Sequence, residues 1–250
     1  MIHSFLLIGQ SNMAGRGYLK DAAPIDNSHI LVMRNGRWEK MYRPVNNDRA
    51  FSGVCLAESF AEKYAEKYGV DVGLIPCADG GTTLHQWKEG SLLFDHAVYQ
   101  GRLASRTSTI AGVLWHQGES DCAEVAAATY AERFQVFMAA MRRELDLYDV
   151  PFILGGLGDF LPDCKFTGSF ENYKIVNEQL KKIVAENPLT GFASAEGLGA
   201  NPDNLHFSAE ALYEFGIRYF EAFEKVRDPN KVFAEKPGVN EAFRSGIELL

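Results

Sequence analysis

The chain has 250 residues, of which 46% are apolar and 23% are charged, and its formal net charge is −8. A chain of this length and composition is able to bury a full hydrophobic core as one domain. The acidic balance argues against a polyanion partner, because nucleic acids are held largely by lysine and arginine. No apolar run reaches the roughly 18 residues that a bilayer-spanning helix needs.

The cysteines and the N-terminus bear on where the protein is found. Cys55, Cys77, Cys122 and Cys164 stand far apart without a CxxC pair, which favours reduced thiols, mostly in the core, over a disulfide framework or a zinc site. The N-terminus lacks the basic region of a secretory signal, and its early apolar run leads directly to Ser11. We therefore expect a cytoplasmic protein, although a leader trimmed before residue 1 would leave no trace.

The first predicted elements are a strand over residues 5–9 and a hairpin over residues 30–41. Asn35-Gly36 forms the predicted hairpin turn, since this pair supplies the positive φ angles of a two-residue turn. We interpret the hairpin as an insertion beside the site. Ser52 is the predicted cap of a helix whose apolar period ends at Gly69.

Strands and helices then alternate along the chain. The predicted strands lie near 71–77, 109–115, 151–154 and 191–195, and the predicted helices near 92–106, 122–146, 170–186 and 208–226. Asp121, with Glu124, is the predicted cap of the helix near 122–146. This alternation predicts an α/β fold with a central parallel sheet of about five strands, covered on both faces. Residues 1–227 are the predicted domain, and 228–250 are an appended tail with one short helix.

Polar turns follow four of the predicted strands. The carboxyl ends of parallel strands meet at one edge of a sheet, so these turns are expected to lie together. Their candidate reactive residues are Ser11, Gly80, Gly81, Gln117, Asp203 and His206. Serine, aspartate and histidine are the parts of an acyl-transfer triad, and glycine and glutamine amides are the parts of an oxyanion hole.

Each of these residues has a candidate role. Ser11 needs a base to act as a nucleophile, and His206 is the best candidate. Asp203, three residues before His206, would hold the tautomer of the imidazole and stabilise the imidazolium. A D-x-x-H pair alone is a common accident, and its coincidence with the other strand-end turns is what favours catalysis. The oxyanion donors would be an amide of the glycine pair, the Gln117 amide and the Ser11 amide.

Other residues of the same turns are candidates for substrate binding or for a supporting role behind the reactive groups. They are Gln10, Asn12, Trp87, His116 and Glu119. Trp87 is predicted either to form a wall for a sugar ring or to pack in the core, and the sequence favours neither. Glu119 is expected to support neighbouring residues or to bind a substrate hydroxyl, because a free carboxylate beside an oxyanion is unfavourable.

Signatures of other enzyme classes are absent from the sequence. There is no HExxH, no GK[ST] and no complete GxGxxG. The GxSxG nucleophile elbow is also missing, because Met13 stands where its second glycine would be. This difference argues against the α/β-hydrolase fold.

Four ordered blocks of the chain resemble the SGNH (GDSL-like) hydrolase superfamily and, within it, the sialate O-acetylesterase-like enzymes of carbohydrate esterase family 6. The blocks are Gly9-Gln-Ser-Asn-Met13, residues 76–84 with Trp87, residues 115–121, and Asp203-Asn-Leu-His206. The resemblance implies a flavodoxin-like three-layer α/β/α sandwich without metal or cofactor. It also implies Ser11 as nucleophile, Asp203 and His206 as orienter and base, and Gly80 or Gly81 with Gln117 as oxyanion donors.

The resemblance implies a serine esterase that removes O-acetyl groups from carbohydrates of acetylxylan or sialate type through an acetyl-enzyme intermediate. An acetylated carbohydrate is then the expected partner, with no nucleic acid and no membrane. One alternative is an SGNH lipase or thioesterase acting on longer acyl esters. A second is a carbohydrate-binding protein without catalysis. The sequence leaves open which sugar is the substrate and what the oligomeric state is.

Overall fold

A computed structural model describes residues 1–233 of the protein, and within them seven strands form a single sheet. The strands are β1 (Ile2–Gly9), β2 (Ile30–Arg34), β3 (Arg37–Lys40), β4 (Asp71–Pro76), β5 (Thr109–His116), β6 (Phe152–Gly155) and β7 (Thr190–Ala193). Their order across the sheet is β3-β2-β4-β1-β5-β6-β7. Only β3 runs antiparallel to its neighbour, so the predicted parallel sheet is confirmed.

The sheet is larger than the predicted five strands because the hairpin of β2 and β3 joins it. Residues Ile30 to Val32 of β2 pair in parallel with Val72 to Leu74 of β4, so the hairpin supplies the two outermost strands on one side of the sheet. Its interpretation as an insertion beside the site was therefore wrong. The turn itself is as predicted, with φ angles of 48° at Asn35 and 76° at Gly36.

Helices cover both faces of the sheet and complete three layers. Within residues 1–233 the α-helices are α1 (Ser11–Ala14), α2 (Ala57–Tyr68), α3 (Leu92–Ala104), α4 (Glu124–Ala128), α5 (Tyr130–Leu145), α6 (Tyr173–Glu186) and α7 (Ala209–Val226). Alternate residues of β1 serve the two faces. Phe5 and Leu7 pack in the cluster that contains α2 and α7, whereas Leu6 and Ile8 pack in the cluster that contains α3, α5 and α6.

Two predicted helix caps were wrong because tertiary contacts use the capping side chains elsewhere. The hydroxyl of Ser52 donates to Asp48, and α2 begins five residues later at Ala57. The carboxylate of Asp121 accepts the main-chain N–H of Leu84 from another loop, at 2.7 Å. The long helix predicted near 122–146 is interrupted at Thr129, between α4 and α5.

The parallel strands bring their carboxyl ends to one edge of the sheet. The segments that leave β1, β4 and β5 at this edge contain Ser11, the glycine pair of residues 80–81, and Gln117. The loop with Asp203 and His206 follows β7 at the same edge. The topology therefore collects the predicted strand-end turns, as the rule for open parallel sheets requires.

The cysteines and the chain after α7 complete the description. All four cysteines are free, and Cys55, Cys77 and Cys122 are buried, as expected for core thiols. After α7 the chain packs back through an ion pair of Lys231 with Asp149 at 3.0 Å. Residues 228–233 form no helix, and the rest of the segment predicted to contain a short helix, residues 234–250, lies outside the described part. The domain boundary at 227 stays a prediction. No helix within residues 1–233 has the length and apolar character to span a bilayer.

His3, at the start of β1, makes the stability of the fold depend on pH. The residue is only 7% exposed, and its Nδ1 lies 2.8 Å from the hydroxyl of Tyr64. Burial, followed by the charge of the Met1 amino group, lowers the pKa of His3 from 6.5 to about 4. Between these values the unfolded chain binds a proton that the folded chain does not. The contribution of the neutral His3 side chain to the free energy of unfolding is therefore complete above pH 6.5 and is lost as the pH falls towards 4.

We expect the free energy of unfolding of the wild type to fall by about 1 to 2 kcal/mol between pH 7 and pH 5 through His3 alone. Urea titrations of wild type and His3→Gln at both pH values measure this. Glutamine can still bond the Tyr64 hydroxyl but does not titrate, so the variant should lose correspondingly less stability. An equal loss in both proteins would assign the acid sensitivity to other groups.

Candidate active site

The nucleophile candidate Ser11 lies on a tight turn where β1 enters α1. The N–H of Gln10 donates to the carbonyl of His116 at 2.8 Å, which holds the turn against the end of β5. At Gly9 φ is +128°, and a Cβ there would lie 2.1 Å from that same carbonyl oxygen. Only glycine allows this approach, so the residue two places before Ser11 fixes the position of the turn.

Ser11, His206 and Asp203 form one hydrogen-bonded series. The Oγ of Ser11 lies 3.1 Å from Nε2 of His206, and Nδ1 of His206 lies 2.8 Å from Oδ2 of Asp203. The second carboxylate oxygen of Asp203 accepts the main-chain N–H groups of Leu205 and His206, at 2.9 and 3.0 Å. This arrangement allows an imidazole to take a proton from a serine while a carboxylate holds its other nitrogen.

The environment of Asp203 keeps its carboxyl group ionised. Partial burial would raise its pKa, but the N–H groups of His206 and Leu205 and the imidazole ring outweigh this and hold the pKa below its ordinary value. Asp203 therefore carries its charge at neutral pH. A charged carboxylate at this place stabilises an imidazolium on His206.

The glycine turn after β4 lies beside Ser11. A Cβ built on Gly80 would be 3.4 Å from Cβ of Ser11 and 2.5 Å from the guanidinium of Arg16. The N–H of Gly80 donates to Oδ2 of Asp48 at 2.8 Å and is thus already used. Among the described residues no hydrogen bond engages the N–H of Gly81 or that of Ser11, which is the first N–H of α1.

Gln117 is fully buried, and its amide group is completely bonded. Its Nε2 donates to the carbonyl of Thr82 at 3.0 Å and to the carboxylate of Asp121 at 2.7 Å. Its Oε1 accepts the hydroxyl of Tyr130 at 2.9 Å. Both protons of the amide are therefore occupied in this structure. Its role as an oxyanion donor stays a prediction, and it requires the amide to release one of these two acceptors.

Four of the remaining candidates are buried around the reactive groups, each less than 5% exposed: Gln10, Asn12, His116 and Glu119. The Oε1 of Gln10 faces the N–H groups of Gly118 and Ser120 at 3.5 and 3.4 Å. Asn12 donates to Glu119 at 2.6 Å. These contacts are suited to a supporting role, although Gln10 and Glu119 also line the cleft that contains Ser11.

Trp87 does not form a wall of the site. It is completely buried, packs edge to face against Trp115, and donates its indole N–H to the hydroxyl of Thr82 at 3.1 Å. Of the two alternatives for this residue, core packing is confirmed and the sugar wall was wrong. Because the indole N–H finds a partner inside, a buried position costs Trp87 no hydrogen bond.

The loop between β3 and α2 brings to the site a group of residues that could not be predicted from the sequence. The buried carboxylate of Asp48 pairs with Arg16 at 2.7 Å and anchors the glycine turn. Phe51 is 70% exposed at the mouth of the site, with the guanidinium of Arg16 5.2 Å from its ring centre. The sequence feature that points to this group is Arg16, which stands between two glycines directly after the Ser11 block.

Two connected clefts open over the triad. The smaller, of about 290 Å³, is lined by Ser11, Gly80 and Gly81, and the larger, of about 770 Å³, by Asp203. His206, Arg16, Phe51 and Phe166 line both. Within residues 1–233 no group of three His, Cys, Asp or Glu side chains is arranged to hold a metal ion.

The three-layer fold carries a serine, a histidine and an aspartate in one hydrogen-bonded series at its strand ends, an arrangement suited to an ester hydrolase. A family model described as "SASA: Carbohydrate esterase, sialic acid-specific acetylesterase" matches residues 1–225. The chain belongs to this family of carbohydrate esterases. It is accordingly a carboxylic ester hydrolase of the carbohydrate acetylesterase type.

Individual relatives agree with this assignment. A probable carbohydrate esterase of Arabidopsis thaliana is 30% identical in a match that covers 88% of this chain and 89% of that protein. An X-ray structure of an Arabidopsis thaliana protein superposes with a TM-score of 0.80 at 28% identity, covering 89% of this chain and 98% of that one. NanS superposes with a TM-score of 0.69 at 17% identity, covering 90% and 97% of the two chains, and shows the fold alone.

Proposed function

We propose that the protein is a serine esterase that removes O-acetyl groups from a carbohydrate through an acetyl-enzyme intermediate. The observation that carries this proposal is the unbroken series from Ser11 Oγ through His206 to Asp203, with distances of 3.1 and 2.8 Å. The family description supports an acetylated carbohydrate as the substrate, and the hydrogen-bonded series supports Ser11 as a nucleophile with His206 as its base.

In the first half of the reaction Ser11 Oγ attacks the acetyl carbonyl carbon while Nε2 of His206 takes the hydroxyl proton. The tetrahedral intermediate then collapses, the bond to the sugar oxygen breaks, and His206 gives its proton to that oxygen. In the second half His206 takes a proton from water, which attacks the acetyl carbonyl. Collapse of the second intermediate releases acetate, and Ser11 regains its proton from His206.

The oxyanion of each intermediate needs donors beside Ser11. The N–H groups of Ser11 and Gly81 are the ones with no other partner among the described residues, which supports them as donors. Gly80 and Gln117, which are also candidates, would first have to release Asp48 and either Thr82 or Asp121. Removing one oxyanion donor typically costs about 3 to 4 kcal/mol of transition-state stabilisation.

The two clefts suggest where the parts of the substrate lie. The departing sugar oxygen must be within reach of Nε2 of His206, so the sugar is expected on the His206 side. The larger cleft, about 770 Å³, opens on that side and has room for a saccharide. The acetyl group then faces the smaller cleft, with Ser11 and the glycine turn.

Phe51 and Phe166 are the aromatic side chains most suited to hold the sugar. They are 70% and 56% exposed, and both line the two clefts. A large apolar side chain left this exposed beside a site is typical of ligand binding, since its flat face can cover the C–H face of a pyranose ring.

Rates of hydrolysis of O-acetylated sialic acid, acetylated xylo-oligosaccharides, 4-nitrophenyl acetate and 4-nitrophenyl octanoate test the proposal. We expect hydrolysis of at least one acetylated saccharide and a preference for the acetyl over the octanoyl ester. Phe51→Ala should raise KM for that saccharide about tenfold, which corresponds to about 1.4 kcal/mol, and leave 4-nitrophenyl acetate unaffected.

Tyr99→Ala is the matched control, because Tyr99 is 64% exposed on α3 and lines neither cleft. It should leave KM unchanged for every ester. A clear preference for octanoyl esters would instead identify a lipase, and no hydrolysis of any ester would favour a binding protein. An equal rise in KM for the saccharide and the aryl ester in Phe51→Ala would contradict the sugar contact.

A further inference from the structure

Asn12, the residue after Ser11, bonds to the main chain on both sides of His206. Its Nδ2 donates to the carbonyl of Leu205 at 3.2 Å, and its Oδ1 accepts the N–H of Phe207 at 3.1 Å. Asn12 is 1% exposed, so this clamp is shielded from solvent. The nucleophile turn and the loop with the base are nearly two hundred residues apart in sequence, and Asn12 joins them directly beside the Ser11–His206 contact.

Glu119 and His116 hold the Asn12 amide from below. Oε1 of Glu119 accepts from Nδ2 of Asn12 at 2.6 Å, and the same oxygen lies 3.5 Å from Nδ1 of His116. Nδ1 of His116 and Oε2 of Glu119 are both buried, and neither has a hydrogen-bond partner in the described part of the chain. Within residues 1–233, His116 is the one basic side chain within ion-pair distance of Glu119.

The contacts of His116 define how many protons this pair needs. Its Nε2 lies 3.2 Å from the carbonyl oxygen of Gly156, and a carbonyl only accepts, so Nε2 carries a proton. With no further proton, the lone pair of Nδ1 would face the Glu119 carboxylate, and two acceptors would oppose each other in a buried site. One proton between them gives either imidazolium with carboxylate or imidazole with carboxylic acid, and both pairs have zero net charge.

We infer that Asn12 is a positioning residue for the His206 base, and that Glu119 and His116, sharing one proton, fix the orientation of its amide. This inference rests on the proposed role of His206. Without the clamp the loop from Leu205 to Phe207 is free to shift relative to Ser11. A displacement of about 1 Å at reacting groups lowers a rate by about a hundredfold.

Steady-state kinetics and labelling of Ser11 by a fluorophosphonate test this role in Asn12→Ala, Asn12→Asp, Glu119→Ala and Glu119→Gln. We expect Asn12→Ala and Glu119→Ala to lower both kcat and the labelling rate about a hundredfold with little change in KM. Asn12→Asp should behave similarly, because a carboxylate cannot donate to Leu205. Glu119→Gln should recover most of the loss, since its carbonyl oxygen still accepts from Nδ2 of Asn12.

Asn177→Ala is the matched control, because Asn177 bonds both the N–H and the carbonyl of Leu157 away from His206. It should lose stability in thermal unfolding but keep kcat.

If Asn12→Ala fails to fold, Asn12→Asp and Glu119→Gln still provide the test. A raised KM with unchanged kcat would make Asn12 a substrate contact and overturn the inference. So would full activity of Asn12→Asp and Glu119→Ala, or equal impairment of Glu119→Gln and Glu119→Ala. Full activity of Ser11→Ala would instead overturn the proposed function itself.

Discussion

Replacing Ser11 by alanine is expected to lower kcat/KM for an acetylated substrate by about 10⁴-fold or more. The variant lacks the nucleophile, and what remains is stabilisation by the oxyanion donors and by substrate binding. His206→Ala should cost about as much, and the double variant no more than either alone, because the two residues act as one unit. Rates of acetate release by the three variants measure this directly.

Trapping the intermediate adds an independent measurement. Rapid acid quench of the wild type with an aryl acetate should leave one acetyl group on the peptide that contains Ser11, as read by mass spectrometry, and none in Ser11→Ala. Activity should also fall on the acid side, because a protonated His206 cannot accept the serine proton. A flat profile from pH 5 to 8 would contradict the role of His206.

Ser108→Ala is the control for these experiments. Ser108 precedes β5 at the opposite edge of the sheet, where its hydroxyl bonds that of Ser4 at 2.8 Å. It is buried, as Ser11 is, but it is remote from both clefts. The variant should keep its activity. Equal rates of acetate release in Ser11→Ala and in the wild type would contradict the proposed mechanism.

Replacing Asp48 by alanine is expected to lower the free energy of unfolding by about 3 to 5 kcal/mol, since it leaves the Arg16 charge buried without its partner. Both side chains are only 5% exposed, and they are joined by two hydrogen bonds of 2.7 and 3.1 Å. Burial would raise the pKa of Asp48, but the hydrogen bonds and charge of Arg16 outweigh it and hold that pKa below its ordinary value.

The same substitution should reach the active site, because the Asp48 carboxylate also accepts the N–H of Gly80. We expect lower activity in the fraction that stays folded, as the glycine turn loses its anchor beside Ser11. Urea unfolding and rates of acetate release measure the two effects. Arg143→Ala is the control, because Arg143 and Glu89 form a pair that is about half exposed on both sides. Such pairs contribute at most about 1 kcal/mol. A loss in Asp48→Ala no larger than that in Arg143→Ala would contradict the prediction.

The elements that could be predicted from sequence are those whose signal is local. Asn35-Gly36 and Gly69 end their elements as predicted, because their positive φ angles depend on the residues themselves. Asp203 and His206 are three residues apart, so one tight turn is enough to pair them. The buried strands lead directly into the polar turns, and the parallel order of the sheet then follows from alternation.

The caps assigned to Ser52 and Asp121 fail for the opposite reason. A capping signal shows only that a side chain can accept a hydrogen bond, and in the folded chain Asp48 and Leu84 use these side chains instead. Trp87 is likewise either a sugar wall or a core residue until Trp115 and Thr82 are seen around it.

The amino-acid sequence is therefore enough to predict the α/β layering, the order of the strand-end turns and the reactive residue types, since these depend on periodicity and on contacts between near neighbours. The way in which those residues are held becomes visible in the folded chain. The bond of Asp48 to Gly80 spans 32 residues, and that of Asn12 to Phe207 spans 195. Such partners are chosen by packing and by the need of buried polar groups for hydrogen bonds, neither of which leaves a local pattern in the chain.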